Sequence, residues 1–93
     1  MTFHVGPYEF DHVSYDSEVD VLYLRRRGKG LPALRTFSTP EGHAVRLDES
    51  GDLISITIFN AKWLLEHDGR IPLTVPRLIE TNADDLTQAL TTA

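Results

Sequence analysis

Short apolar runs separated by polar turn residues recur along most of the chain. Five of them have the composition or alternation of β-strands: residues 8–15, 19–26, 34–38, 43–47 and 53–59. Strands and turns at this short, regular spacing are typical of antiparallel sheets. We therefore predict an α+β fold built on a small antiparallel β-meander sheet, with the first run as an edge strand.

The run at residues 53–59 alternates most strictly. Its isoleucines fall on one face, and its serine and threonine fall on the other. Because β-branched residues that alternate in this way fit a half-buried strand, we predict this run at the centre of the sheet. The residues assigned to its core face are Ile54, Ile56 and Ile58.

The run at residues 19–26 differs because both of its faces are apolar. Val19, Val21 and Tyr23 occupy one face, and Leu22 and Leu24 occupy the other. A sheet with one wet face alternates between apolar and polar residues, so a strand of this kind needs cover on both sides. We expect a second copy of the chain or another protein to supply part of that cover.

A short helix is predicted directly after the central strand, over residues 61–67. Asn60 is its expected N-cap, and Gly69 is placed to end it in a left-handed conformation. Its apolar stripe consists of Ala61, Leu64 and Leu65. We expect Trp63 to fill the space between this helix and the sheet.

A second, amphipathic helix is predicted near the C-terminal end, where Asn82 caps and Asp85 follows three residues later. Its helically spaced apolar residues are Ala83, Leu86, Ala89 and Leu90. A helix of about ten residues is marginal alone, so it needs a surface to pack against. Before it, residues 71–75 are assigned to an edge strand or extended coil because of Pro72 and Pro76.

Composition indicates one globular domain over residues 1–93, with 41% hydrophobic and 25% charged residues. The absence of cysteine excludes thiol catalysis and Cys-ligated metals. Neither a secretory signal nor a membrane-length apolar run is present, so we expect a cytoplasmic protein that does not contact membranes. A small core without disulfides favours self-association, and we favour a dimer.

Charge is segregated along the chain, and its net value is −5. An acidic balance argues against nucleic acid as a partner, since that binding needs basic patches. The local exception is a basic patch formed by Arg25, Arg26, Arg27 and Lys29. We interpret it as a charged strand end that prevents unwanted sheet pairing, with contact to phosphates or an acidic partner as the alternative.

The acidic residues before the two-faced strand are the main candidates for chemistry. Asp16, Glu18 and Asp20 stand at every second position, and on an extended strand they would point the same way and could gather a hard cation. The glycine and distal glutamate of a calcium loop are missing, and acids in turns commonly accept backbone hydrogen bonds. We favour the turn interpretation, and we assign no metal ligand and no cofactor.

No pattern in the chain indicates catalysis. The histidines lack metal-ligand spacing, and no serine lies in a nucleophile motif. Scattered histidines of this kind are expected at the surface. They are His4, His12, His43 and His67. We therefore assign no catalytic residue and do not predict an enzyme.

The segment Tyr15-Asp16-x-Glu18-x-Asp20, followed by Val21-Leu22-Tyr23-Leu24, resembles the opening motif of a bacterial family catalogued as domain of unknown function 2283. The resemblance continues through Gly42, Asp48, Gly51, the alternating isoleucines and Asn60-Ala61. It covers residues 12–66 and leaves residues 67–93 as a C-terminal extension. It implies antiparallel strands with a packed helix, and it implies no established activity.

The opening motif has a structural and a functional interpretation. An aspartate at a strand start can accept turn amides, and a tyrosine in a two-faced strand can reach a buried acceptor. The alternative is a ligand-binding site formed by Tyr15, Asp16, Glu18, Asp20 and Tyr23. We favour the structural interpretation.

The sequence predicts no specific biochemical activity. We expect a non-enzymatic interaction module that self-associates, with its second sheet face or its C-terminal helix buried against a copy of itself. The alternatives are an antitoxin-like chain that masks a small basic toxin protein, and a ligand- or metal-binding protein that uses the acidic cluster.

Overall fold

The computed structural model describes residues 2–26, 35–48, 51–74, 78–81 and 83–91. Within them, nine strands and two helices form, and the predicted antiparallel α+β class is confirmed. The strands are β1 Phe3–Val5, β2 Tyr8–Phe10, β3 His12–Asp16, β4 Val21–Arg25, β5 Arg35–Ser38, β6 Ala44–Leu47, β7 Leu53–Phe59, β8 Pro72–Thr74 and β9 Leu78–Glu80. The helices are α1 Ala61–Asp68 and α2 Ala83–Thr91.

The main sheet has five strands in the order β3-β4-β7-β6-β5. All four neighbouring pairs are antiparallel, and β7 lies at the centre as its alternation predicted. Strands β5, β6 and β7 form a meander that starts at the far edge of the sheet. Its last strand therefore pairs with β4, with Leu24 opposite Ile56.

Two small hairpins lie outside this sheet. The predicted first strand divides at Asp11, so that β2 pairs with the unpredicted β1 and only β3 joins the sheet edge. Strand β8 pairs with β9 of the same chain. The backbone N–H of Gly6 donates to the carbonyl of Glu80 over 3.1 Å, which joins the two hairpins.

One face of the main sheet, termed the core face, contributes to a single hydrophobic cluster with both hairpins and both helices. Leu86, Ala89 and Leu90 of α2 are buried in this cluster, so the chain itself covers the helix. The remaining buried members are Phe3, Val5, Phe10, Leu22, Leu24, Val45, Leu53, Ile56, Ile58, Ala61, Ile71 and Leu73. The expected N-cap of α2, Asn82, lies outside the described residues.

Ile54 is buried together with Ile56 and Ile58, as the alternation of β7 predicted. Two expectations about single residues need correction. Trp63 does not fill a gap between helix and sheet, since it is 53% exposed on α1. Val19 lies in the turn before β4 and is 60% exposed.

Candidate functional site

Asp20 connects the sheet to the start of α1. Its own backbone is left-handed, with φ of 56°, and its carboxylate faces the first turn of the helix. Oδ1 accepts hydrogen bonds from the Tyr15 hydroxyl and the Lys62 N–H, both at 2.7 Å, and Oδ2 accepts one from the Trp63 N–H at 3.1 Å. Asp20 therefore caps α1 although it lies some forty residues earlier in the chain.

This arrangement changes the ionisation of both side chains. Burial acts to raise the pKa of Asp20, but the hydrogen bonds from the Lys62 N–H, the Tyr15 hydroxyl and the Trp63 N–H outweigh it and lower that pKa. Burial, together with the hydrogen bond and charge of Asp20, raises the pKa of Tyr15 to about 12. The pair therefore holds a charged acceptor and a neutral donor at neutral pH.

Asn60 occupies the predicted N-cap position but makes no side-chain capping bond, and its φ of 58° is left-handed. The sequence identified the helix start correctly and assigned its cap to the wrong side chain. The C-terminal prediction is confirmed, because Gly69 is left-handed and its N–H donates to the carbonyl of Leu65.

The other residues of the predicted ligand site do not converge on Asp20. Asp16 ends β3 and accepts a hydrogen bond from the Glu18 N–H at 3.1 Å, which confirms the turn interpretation for that carboxylate. Tyr23 lies on the opposite face of the sheet from Tyr15, which is paired with Leu22. Across the described residues, no group of three histidine or acidic side chains is placed to hold a metal ion.

The basic patch is divided by strand alternation. Arg26 donates to Asp52 Oδ1 at 3.1 Å and to the Leu53 carbonyl at 3.0 Å, and its guanidinium lies 5.9 Å from the centre of the Tyr8 ring. Arg26 therefore makes its polar and cation–π contacts with residues of its own chain. Arg25 is exposed on the other face of the sheet, and Arg27 and Lys29 lie outside the described residues.

We term the side of the main sheet opposite the core face the outer face. The strand register aligns its residues in three rows that run across the strands. The acidic row is Asp16, Val21 and Phe59. The middle row is Ser14, Tyr23, Thr57, Ala44 and Ser38. The basic row is His12, Arg25, Ser55, Arg46 and Thr36.

Two aromatic side chains on this face are substantially exposed: Tyr23 by 45% and Phe59 by 41%. Val21 between them is only 8% exposed. Sequence reasoning did not single out Phe59, although its phase along β7 is that of Ser55 and Thr57 rather than that of the core isoleucines. The expectation of a second, partly apolar face on the central strands thus corresponds to Val21, Tyr23 and Phe59.

A family model described as Protein of unknown function (DUF2283) matches residues 12–62, more than half of the chain. The chain belongs to this family. No curated protein and no solved structure matches it. The DUF2283 region begins at the first residue of β3 and ends in the first turn of α1. It therefore contains Tyr15, Asp20 and Lys62 of the helix cap and all three rows of the outer face, and Trp63 follows directly after it.

Hairpins β1–β2 and β8–β9 and helix α2 lie outside the DUF2283 match. Thr74 of β8 joins its hairpin to the DUF2283 region, because Glu41 accepts hydrogen bonds from the Thr74 hydroxyl at 2.7 Å and from its N–H at 3.0 Å. A second contact joins two of the outside elements to each other: Asp85 of α2 accepts from the His4 N–H of β1 and contacts His4 Nδ1 at 2.6 Å.

His43 is a buried residue within the DUF2283 region, contrary to the expectation of surface histidines. It is 3% exposed, and its Nδ1 accepts a hydrogen bond from the Phe59 N–H at 3.1 Å. Burial lowers the pKa of His43, and the charge of Glu41 offsets this only in part. The ring is therefore held neutral and ties β6 to the end of β7.

No helix within the described residues has the length and apolar content to span a membrane.

Proposed function

We propose that this chain is a small interaction module that self-associates through its outer face. The observation that supports this most is the exposure of Tyr23 and Phe59 on the central strands of the sheet. Large apolar side chains grouped on one surface favour burial against a partner. In a two-fold symmetric dimer the same surface of each copy forms the interface, so Tyr23 and Phe59 of both copies are buried together. This is the commonest symmetry of soluble oligomers.

Two surfaces were suggested by the sequence for self-association: the second sheet face and the C-terminal helix. Leu86, Ala89 and Leu90 of α2 are buried within their own chain, so these side chains are not available to a copy. Among the described residues, the outer face is the remaining candidate of the two. It combines a partly apolar centre with serine, threonine and charged residues, which is the composition of a non-obligate interface.

The size of the face sets the expected strength. Five strands about 4.8 Å apart, each with about five residues at 3.3 Å, give a plan area of roughly 400 Å². Stable interfaces bury about 800 Å² on each partner, so this face supports weak rather than permanent association. We expect a dissociation constant in the micromolar range.

Sedimentation velocity from 5 to 500 µM tests the proposal. We expect the average mass to rise above the 10.5 kDa monomer with concentration. Tyr23→Ser and Phe59→Ser should weaken the association at least tenfold. Phe37→Ser is the matched control, because Phe37 is also exposed but is paired with Val45 on the core-face side of the sheet. A wild-type chain that stays monomeric at 500 µM would exclude the proposal.

A further inference from the structure

We propose, building on self-association through the outer face, that His43 positions Phe59 in the interface and makes the association sensitive to acid. The neutral ring holds the end of β7 in the geometry that the interface uses, and protonation of the ring releases it. The observation behind this proposal is one hydrogen bond between a buried imidazole and the backbone of an outer-face residue.

The side chain of His43 takes the place of a backbone acceptor at the end of β7. The ladder between β6 and β7 ends at the pair Ala44 and Thr57. The backbone of His43 is directed towards Thr39 instead, because its carbonyl accepts from the Thr39 N–H at 2.7 Å and its N–H donates to the Thr39 hydroxyl at 3.1 Å. The Phe59 N–H therefore finds its acceptor in the His43 ring, 3.1 Å from Nδ1.

The direction of this hydrogen bond fixes the protonation state of the ring. A backbone N–H can only donate, so Nδ1 is unprotonated while the bond is present. Protonation adds a hydrogen to Nδ1 that faces the Phe59 N–H, and that N–H then has no acceptor beside a residue that is only 3% exposed. Because a buried donor that loses its partner is costly, acid acts on the end of β7 through His43.

Among the described residues, Glu41 is the charged group that acts on the His43 ring. Burial lowers the pKa of His43 and the charge of Glu41 raises it, with burial the larger effect. Burial also acts to raise the pKa of Glu41, but the hydrogen bonds from the Thr74 hydroxyl and N–H outweigh it and lower that pKa. Neither β7 nor β8 contains a charged residue. Glu41 therefore stays ionised while His43 titrates, and the change of charge is that of the ring.

Phe59 carries the effect of this protonation to the outer face. Its side chain is 41% exposed beside Val21, and it is one of the two aromatic rings on which the proposed association depends. The chain turns directly after it, since Asn60 is left-handed and Ala61 begins α1. The bond to His43 therefore secures β7 at the point where the strand ends, and its loss loosens the backbone that carries the Phe59 ring.

Self-association measured above and below the titration of the ring tests this proposal. NMR of the His43 ring in the wild type first gives the pH at which it protonates, and sedimentation velocity then gives the dissociation constant on either side of that pH. We expect association to weaken roughly tenfold on the acid side, the effect of losing about one hydrogen bond. Because linkage is reciprocal, the pKa of His43 should be lower in the dimer, and hence lower at 500 µM than at 10 µM.

Two matched variants identify the histidine that is responsible. His43→Asn keeps an acceptor atom at the same number of bonds from Cα but does not titrate, so it should associate as the wild type does at neutral pH and equally well in acid. His12→Asn removes a titrating histidine of the outer face itself and should keep the wild-type difference between the two pH values. Circular dichroism at both pH values establishes that each chain is folded.

The outcomes separate the role of His43 from self-association itself. A loss of association in acid that His43→Asn abolishes and His12→Asn retains supports that role. If the wild type associates equally well on both sides of the titration, or if His43→Asn weakens in acid as much as the wild type, the role is wrong while the outer face can still be the interface. A His43 ring that stays neutral until the chain unfolds, or a pKa that does not change with concentration, also contradicts it. A wild-type monomer at every pH and concentration excludes both proposals.

Discussion

At the residue scale, Asp20 explains the opening motif of the family without a ligand. Its carboxylate satisfies two N–H groups of α1 and the hydroxyl of Tyr15. The sequence indicated that the motif has a structural role, but not which contact Asp20 makes. A capping interaction between residues so far apart depends on the packing of β4 against β7, and no local pattern encodes it.

We expect Asp20→Ala to lower the free energy of unfolding by roughly 2 kcal/mol, because it removes a helix cap and leaves the half-buried Tyr15 hydroxyl without its acceptor. Asp16→Ala is the matched control, and its loss of one exposed turn bond should cost less than about 0.5 kcal/mol. Urea unfolding of both variants measures the difference. Equal destabilisation would contradict the capping role.

The two histidines with perturbed pKa values should give opposite pH dependences. Burial holds the folded-state pKa of His43 below 6.5, so its contribution to stability is complete above that pH and is lost as the pH falls below it. The hydrogen bond that His4 donates to the Asp85 carboxylate raises the pKa of His4 above 6.5, so its contribution is complete below that pH and is lost as the pH rises.

We therefore compare His43→Asn and His4→Asn with the wild type in urea at pH 5.0 and pH 7.5. Asparagine at position 43 can still accept from the Phe59 N–H but does not titrate, so this variant should lose less stability than the wild type on acidification. The destabilisation caused by His4→Asn should be greater at pH 5.0 than at pH 7.5. The same sign of pH dependence for both variants would contradict these assignments.

At the element scale, long alternating runs were predictable and short hairpins were not. Strand β7 has seven residues, which is long enough for the alternation to show that it is a strand and which of its side chains point towards the core. Strands β1 and β2 have three residues each, too few for a periodic signal. The alternation of residues 8–15 does change phase after Asp11, from Tyr8 and Phe10 to Val13 and Tyr15. This break marks the point where the chain leaves one hairpin and enters the sheet, and the prediction of a single strand did not use it. The helical periodicity of α2 was recognisable, but the surface that covers it was not.

Helix α2 should be an integral part of the fold rather than a docking element. Leu86→Ala removes a fully buried side chain and should lower the free energy of unfolding by about 2–5 kcal/mol. Thr87→Ala changes the exposed neighbour and should have little effect. If Leu86→Ala proved as stable as Thr87→Ala in urea, α2 would not be packed as described.

At the scale of the whole molecule, the core is built on one side of the sheet and the outer face is left with Tyr23 and Phe59 exposed. The alternation of residues 19–26 predicted this second face, and the register of the five strands supplied what the sequence could not. It aligns Arg25 of β4 with Arg46 of β6 in one row across Ser55 and brings Val21 of β4 beside Phe59 of β7 in another. Only strand order brings those residues together, because they are distant in the sequence.

The most direct test of self-association through the outer face is a dilution series followed by backbone amide NMR, from 500 µM to 10 µM. We predict concentration-dependent shifts that concentrate on β3, β4 and β7, with the largest around Tyr23 and Phe59, while α2 and β8 stay constant. Spectra that do not change with concentration, or shifts confined to α2 and the two hairpins, would contradict the account.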